Sequence, residues 1–117
     1  MKIISVDFDG TICHNAWPDI GDPFPGFINY LKKMRKHGYK LILNTMREGE
    51  LLEKAVEWCK QFDLEFDAVN DNLKEMQEAY GTNPRKIYAD WYFDDHNVVD
   101  FGRKMPVIKT RTRKDER

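Results

Sequence analysis

The fold is decided by a stretch near the start of the chain, Lys2-Ile3-Ile4-Ser5-Val6-Asp7-Phe8-Asp9-Gly10-Thr11. Its first half is a short apolar run rich in β-branched residues, which predicts a buried β-strand. Its second half is polar, and Gly10 allows the backbone to turn sharply. The stretch therefore predicts a strand that delivers Asp7 and Asp9 to a loop at its carboxyl end.

Outward from this strand, segments with helix and strand periodicity alternate along the chain. The predicted helices lie between 22 and 38, at 48–62, at 73–80 and, weakly, around 98–104, and the further predicted strands are 39–44, 66–70, 87–93 and 107–108. Each parallel return between strands needs a crossover element. The alternation therefore predicts an α/β fold, a three-layer sandwich around a mostly parallel sheet.

Length and charge limit the organisation of the chain. A chain of 117 residues fits one hydrophobic core, so we predict a single domain over 1–108 and a basic, flexible tail over 109–117. From Arg103 onward, seven basic residues stand against two acidic ones. The formal net charge of the whole chain is only −1, so nucleic-acid binding through the tail is considered but not favoured.

The start of the chain and its cysteines bear on localisation. Met1 leads directly into the first predicted strand, which Asp7 interrupts too early for a signal peptide or a membrane span. Cys13 and Cys59 are far apart and form no metal-binding or redox motif. We therefore expect a cytoplasmic protein with two ordinary thiols and no membrane partner.

Polar residues follow three of the predicted strands, namely Asp7 and Asp9, Thr45 and Arg47, and Asp94 and Asp95. In open α/β sheets, ligands bind beyond the carboxyl ends of the strands. Side chains at i and i+2 of an extended chain point the same way, so Asp7 and Asp9 are expected to face one pocket. Converging carboxylates require a divalent cation, and ligands that are all oxygen favour Mg²⁺.

These segments resemble the motifs of the haloacid dehalogenase (HAD) superfamily. Asp7-Phe8-Asp9-Gly10-Thr11 resembles the first motif, Leu41-Ile42-Leu43-Asn44-Thr45 the second and Asp94-Asp95 the fourth. Four further stretches resemble small HAD-like hydrolases described mostly as phosphatases: Asp19-Ile20-Gly21, Arg47-Glu48-Gly49-Glu50, Glu57-Trp58-Cys59, and Arg85-Lys86 with Ala89-Asp90. The resemblance extends over about residues 3–100.

The resemblance implies a Mg²⁺-dependent phosphohydrolase that works through an aspartyl-phosphate intermediate on a phosphorylated substrate. In this reading Asp7 attacks phosphorus, and Asp9 protonates the leaving oxygen and then activates water. The residues expected to hold phosphoryl oxygens are Thr45, a lysine, Gly10, Thr11, Met46 and Arg47. The residues expected to hold Mg²⁺ are Asp7, the Asp9 backbone carbonyl and Asp94, with Asp95 orienting a metal-bound water.

Two assignments stay open in the sequence. The phosphate-binding lysine is either Lys86, where the resemblance puts the third motif, or Lys74. We choose Lys86, on the condition that the strand before Asp94 begins only near Trp91. His96 stands where similar proteins often carry Arg, and it is either a substrate contact or an ordinary surface residue.

The segments 12–21 and 71–88, where larger relatives carry cap domains, are too short to fold a cap with its own core. The predicted site is therefore open, which suits a bulky substrate or a second subunit that acts as a lid in a homo-oligomer. Trp17, Arg47 and Trp91 are candidates either to line the approach or to pack. Two alternatives remain: a phosphate- or metal-binding module with weak or no turnover, and a nucleic-acid-associated accessory protein.

Overall fold

Strand β1 (Ile3–Val6) lies in the middle of the main sheet, and all four of its residues are buried. The computed structural model describes residues 2–84 and 86–94, and the backbone of 97–99. The other strands of this sheet are β4 (Lys40–Leu43), β5 (Ala68–Val69), β6 (Trp91–Asp94) and β7 (Asn97–Val99). Strands β2 (Cys13–Ala16) and β3 (Asp19–Pro23) form a separate antiparallel hairpin.

The main sheet has the strand order β5-β4-β1-β6-β7. β1 pairs in parallel with both β4 and β6, and β4 pairs in parallel with β5. Only the pairing of β6 with β7 is antiparallel among these strands. The predicted α/β fold with a mostly parallel sheet is therefore confirmed. The carboxyl ends of β4, β1 and β6 lie side by side, and we call this side of the sheet the carboxyl edge.

The described residues form three helices, α1 (Pro25–Lys36), α2 (Gly49–Lys60) and α3 (Lys74–Tyr80). Pro25 suits the first turn of α1, where its missing N–H has no partner to lose. α3 ends at Gly81, which has the left-handed backbone conformation with φ of 70° that glycine adopts without strain. All three helices occur where the sequence predicts them.

The two faces of the sheet contact different hydrophobic clusters. Ile4 and Val6 of β1 belong to the larger cluster, which also holds Leu31 of α1 and Cys59 of α2. Ile3 belongs to the smaller cluster on the α3 side. This alternation follows from the period of two along a strand, and the arrangement is compatible with a Rossmann-like sandwich.

The hairpin of β2 and β3 is not predicted by the sequence, because its residues are mostly exposed and show no apolar alternation. Its two strands approach closely at Gly21, where a Cβ atom would lie 2.4 Å from the carbonyl oxygen of His14. Any larger residue would therefore push the strands apart. The hairpin places its turn, residues 16–19, beside the carboxyl edge.

Two predicted elements need correction. The strand predicted at 87–93 begins only at Trp91, because the Tyr92 hydroxyl and the Asn72 side chain take the hydrogen bonds of the backbone at Ile87, Tyr88 and Ala89. The weak helix predicted around 98–104 is wrong at its start, because Asn97–Val99 pairs with β6 as a strand.

Several predictions fall outside the described residues, namely Asp95, His96, the strand at 107–108, the domain end at 108 and the tail at 109–117. Within the part of the chain that is described, none of the helices has the length and apolar character needed to cross a bilayer.

Candidate active site

Asp7 and Asp94 lie next to each other at the carboxyl edge. Val6 is paired with Phe93 across β1 and β6, and the Asp7 N–H donates to the Phe93 carbonyl at 2.9 Å. Asp7 and Asp94 are therefore the next residues on two strands spaced about 4.8 Å apart. Asp94 is exposed, and one Asp7 carboxylate oxygen accepts from the Phe8 N–H at 2.8 Å.

Thr45 follows β4 on the other side of β1. Asn44 continues the pairing, because its N–H donates to the Val6 carbonyl at 2.9 Å. The Thr45 Oγ1 accepts from the Arg47 backbone N–H at 3.2 Å. A hydroxyl that accepts one hydrogen bond still has its own proton to donate. The loop therefore leaves Thr45 able to donate to an anion at this edge.

Asn70, which sequence reasoning missed, holds this loop in place. It follows β5 with a positive φ of 52°, which Asn tolerates better than most residues. Its Oδ1 accepts from the Thr45 N–H at 2.7 Å, and its Nδ2 donates to the Arg47 carbonyl at 3.2 Å. The signal in the sequence was a polar Asn as the last residue of the predicted strand 66–70.

The Asp9 carboxylate is bound by Arg47, which the sequence analysis did not foresee. Arg47 Nε donates to Asp9 Oδ2 at 2.9 Å and Nη2 donates to Asp9 Oδ1 at 2.8 Å. The other donors of the guanidinium reach the carbonyls of Pro18 at 3.2 Å, Asp19 at 2.9 Å and Leu51 at 3.4 Å. All five N–H donors of Arg47 are thus used.

Arg47 is 2% exposed, and its guanidinium lies 5.2 Å from the centroid of the Phe8 ring. The hydrogen bonds with Asp9 raise the pKa of Arg47 above its ordinary value, although burial opposes them. The prediction that Arg47 binds substrate with its side chain is therefore corrected, because no donor is left for a ligand. Trp91, another candidate to line the approach, is buried and packs against Tyr39.

The loop after β1 uses the N–H groups of Gly10 and Thr11 internally. Gly10, with φ of 81°, donates to the Cys13 carbonyl at 2.9 Å, and Thr11 donates to the Phe8 carbonyl at 3.1 Å. Thr11 is also buried. Their predicted role as direct N–H donors to substrate is therefore corrected, because these groups turn the loop.

Two other backbone N–H groups of the carboxyl edge, those of Asp9 and Met46, are available to donate to a ligand. Within the described part of the chain, the backbone N–H groups of Asp9 and Met46 donate no hydrogen bond. The Met46 side chain is 95% exposed. Of the predicted contacts to a phosphoryl group, Met46 is thus the one whose N–H the structure leaves open.

Both candidate lysines are exposed. Asn72, which is buried, donates from Nδ2 to the Lys86 carbonyl at 3.1 Å. Asn72 lies two residues after Asn70, so it links the backbone of Lys86 to the segment that holds Thr45. The condition for choosing Lys86 is met, because β6 begins at Trp91. Lys74 is the first residue of α3.

The thiols of Cys13 and Cys59 are protonated at neutral pH. Burial, with a smaller contribution from Asp9, raises the pKa of Cys13 to about 11. Burial likewise raises the pKa of Cys59 to about 12. Because the thiolate is the nucleophilic form, neither cysteine is suited to act as a nucleophile at neutral pH.

The described residues contain no group of three or more His, Cys, Asp or Glu side chains arranged to hold a metal ion. Asp95, the fourth predicted metal residue, lies outside them. The carboxylate-bearing residues that the strand register places at adjacent positions are Asp7 and Asp94. Mg²⁺ in phosphoryl-transfer sites is held by one or two carboxylates and the substrate phosphate, with several waters retained. These two oxygen donors fit that pattern.

A cavity of about 520 Å³ lies between α3 and the segment before β6. Its lining includes Asn72, Met76, Tyr80, Lys86 and Tyr88. No predicted catalytic carboxylate lines it. The polar residues at the carboxyl edge are therefore the better candidate for chemistry.

Comparison with known proteins gives one informative match. No protein-family model matches the chain. A solved structure described as that of a conserved protein coded by a locus from Bacteroides thetaiotaomicron is 42% identical in sequence. The match has a TM-score of 0.71 and covers 81% of this chain and 76% of that chain.

Proposed function

This chain belongs to the same family as the conserved Bacteroides thetaiotaomicron protein, and we propose that it is a Mg²⁺-dependent phosphohydrolase acting on a phosphomonoester. The observation that carries the proposal is the pairing of Val6 with Phe93, which makes Asp7 and Asp94 neighbours at the carboxyl edge. Thr45 flanks Asp7 from the strand on the other side. A nucleophile, a second carboxylate and an anion donor thus come from three adjacent strands.

Asp7, the Asp9 backbone carbonyl and Asp94 would hold Mg²⁺, with Asp95 as the further candidate from the sequence. When bound, the metal neutralises charge on the phosphoryl oxygens. The protein's own part is to hold Asp7 in line with the phosphorus. The Asp7 carboxylate oxygen forms the bond to phosphorus as the bond to the leaving oxygen breaks.

Thr45 and the N–H group of Met46 donate hydrogen bonds to the phosphoryl oxygens in this proposal. Thr45 is suited to this because its Oγ1 already accepts from Arg47, which orients the hydroxyl. Donors that are fixed before the substrate arrives stabilise developing charge best. Asn70 is the positioning residue of this loop, since it bonds Thr45 and Arg47 from both ends of its side chain.

Asp9 serves as the acid and base while it remains held by Arg47. A carboxylate has about four lone-pair sites on its two oxygens, and Arg47 takes one on each oxygen. One of the remaining sites would carry the proton that Asp9 gives to the leaving oxygen, and the carboxylate left behind would then take a proton from the attacking water. Arg47 is then a positioning residue, which fixes the direction in which the Asp9 carboxylate faces.

The proposed fold is a three-layer, HAD-like sandwich without a cap domain. The support is the small size of both insertions: Cys13 is the only buried residue of the β2–β3 hairpin strands, and the described segment between β5 and β6 holds the single short helix α3. Neither offers a core that would cover the site. We propose that the substrate is a bulky phosphorylated molecule, or that a second copy of the chain covers the site as a lid.

One observation favours a second candidate, a phosphate- and metal-binding module without turnover. Both Asp9 oxygens are bonded to a buried arginine, as they would be if Asp9 had only a structural role. Such a module would accept or bind phosphate through Asp7 and Asp94 but would not protonate a leaving group. The two candidates differ in what replacing Asp9 does.

The Asp9→Asn variant distinguishes the phosphohydrolase from the binding module. The measurement is phosphate release from a panel of alkyl and aryl phosphomonoesters, with Mg²⁺ and with EDTA. We expect wild-type release that depends on Mg²⁺, and a loss of about 10²–10⁴-fold in kcat for Asp9→Asn on alkyl esters. The Mg²⁺ affinity of Asp9→Asn should stay close to wild type by calorimetry. Asp94→Asn is the matched control and should lose Mg²⁺ affinity.

Three results would contradict this assignment. No phosphate release from any ester by the wild type leaves the binding module as the function. Full activity of Asp9→Asn means that Asp9 only anchors Arg47. A loss of Mg²⁺ affinity as large as that of Asp94→Asn means that the Asp9 side chain is a metal ligand. Thermal melts of each variant exclude unfolding as the cause.

Lys86→Met and Lys74→Met identify the lysine that neutralises the phosphate. Methionine keeps much of the stem length and removes the charge, so KM should rise and kcat should fall only for the true partner. We expect this for Lys86→Met, because Asn72 ties the Lys86 backbone to the Thr45 side of the site. Wild-type kinetics of Lys86→Met together with a crippled Lys74→Met would reverse the assignment.

A further inference from the structure

The turn between β2 and β3, residues 16–19, is attached directly to the candidate acid. Arg47 donates to the carbonyls of Pro18 and Asp19 with the same guanidinium that binds both oxygens of Asp9. One buried, planar group thus fixes the turn relative to the Asp9 carboxylate. The backbone of the turn is therefore held close to that carboxylate.

The turn exposes Trp17, whose side chain is 60% accessible. Its backbone N–H is fixed by the Asn15 Oδ1 at 3.1 Å. Four large hydrophobic residues are exposed in the described part of the chain, Trp17, Met46, Tyr80 and Tyr88. Trp17 precedes Pro18 and Met46 precedes Arg47, so two of the four flank the Arg47 contacts.

We infer that Trp17 and Met46 form the subsite for the leaving group, and that the substrate class is a phosphomonoester whose alcohol carries a planar aromatic or heteroaromatic ring. The inference rests on the proposed function, because an acid must face the oxygen that leaves. The leaving group therefore departs on the Asp9 side, where the Arg47-bound turn stands. An indole face stacks well on a planar ring, and a flexible thioether adapts to its edge.

The sharpest test uses two substrates that differ only in the ring. Adenosine 5′-monophosphate and ribose 5-phosphate both leave through a primary ribose 5′-oxygen, so the acid does the same work on each. We expect the wild type to prefer the nucleotide in kcat/KM. Trp17→Ala should lower that preference about tenfold through KM, since one stacked base contributes a factor of this order. Trp17→Phe should retain most of the preference.

Tyr80→Ala is the matched control. Tyr80 is also an exposed aromatic residue, at 68%, but it is the last residue of α3 and makes none of the contacts described for Arg47. Its removal should leave the nucleotide preference unchanged. An equal loss in Tyr80→Ala would overturn the inference, because a general effect on the protein would then explain the result for Trp17.

A binding measurement separates this inference from the proposed function. In an Asp7→Asn background without turnover, the nucleotide should quench indole fluorescence, ribose 5-phosphate should not, and Trp17→Phe should remove the quench. Quenching without wild-type hydrolysis supports the subsite and rejects the phosphohydrolase. Hydrolysis with a preference that Trp17→Ala does not change rejects the subsite alone. Absence of both hydrolysis and quenching rejects both.

Discussion

Asp7→Asn is expected to lower phosphomonoester hydrolysis by at least about a thousandfold, as removal of a catalytic nucleophile does. An amide has no negative oxygen with which to form the acyl-phosphate bond. The change is nearly isosteric, and the amide oxygen can still accept the hydrogen bond from the Phe8 N–H. The loss should therefore appear in kcat rather than in folding, and phosphate release is the measurement.

Asp63→Asn is the matched control for this change. Asp63 is exposed and follows α2, a helix that begins after the carboxyl-edge loop and runs away from it. Its positive φ of 60° is one that Asn also tolerates. The control should hydrolyse phosphate at the wild-type rate, so that loss of one surface charge cannot account for the effect of Asp7→Asn.

Trapping locates the nucleophile independently of rate. A beryllium or aluminium fluoride complex with Mg²⁺ should place the phosphate mimic on the Asp7 carboxylate in a crystal structure. A mimic bound at any other side chain, or full activity of Asp7→Asn, is incompatible with an aspartyl phosphate at this position. Absence of activity in both the wild type and Asp7→Asn would instead support the second candidate function, a phosphate- and metal-binding module without turnover.

The sequence predicted the parts of the fold that depend on local pattern. The buried run before Asp7 and the helices Pro25–Lys36 and Gly49–Lys60 occur as expected, because apolar periodicity and end signals determine them. The β2–β3 hairpin was missed because its residues have little apolar alternation. Its turn is bonded by a distant residue, Arg47, and no local pattern reveals that contact.

The same reason explains the error at Arg47. An arginine after a strand at the ligand-binding edge is a reasonable anion ligand on local grounds. Its actual partners are a carboxylate 38 positions earlier, two carbonyls of the hairpin turn and the carbonyl of Leu51. Asn70 and Asn72 were missed likewise, because each acts through backbone groups of other loops. Contacts made through the backbone leave little trace in residue type.

Arg47→Ala is expected to lower the free energy of unfolding by about 3–5 kcal/mol, the range for breaking a buried ion pair. The Asp9 side chain is only 16% exposed and would lose its ion pair with Arg47. The carbonyls of Pro18, Asp19 and Leu51 would lose their donor as well. Urea unfolding measures the change, and Arg47→Lys, which keeps charge but not the paired geometry, should give an intermediate loss.

Arg35→Ala is the matched control, since Arg35 makes a similar contact to a carboxylate on the surface. Its Nη2 lies 3.0 Å from Asp67 Oδ1, but its side chain is 40% exposed. Water and salt screen such a pair, so its removal should cost at most about 1 kcal/mol. Both variants lose one arginine and one carboxylate contact, and burial is the main difference between them.

The difference between the two variants decides what Arg47 does. Arg47→Ala could lower the free energy of unfolding by no more than Arg35→Ala does. That result would mean that the five hydrogen bonds of Arg47 add no net stability and that its guanidinium exchanges readily with water. The free energy of unfolding of a small domain is only about 5–15 kcal/mol in total. If the Arg47→Ala variant is already unfolded without urea, that result therefore agrees with the expected large loss of stability. Raising salt should weaken the Arg35 pair but leave the buried Arg47 pair nearly unchanged, because ions screen exposed charges far more than buried ones.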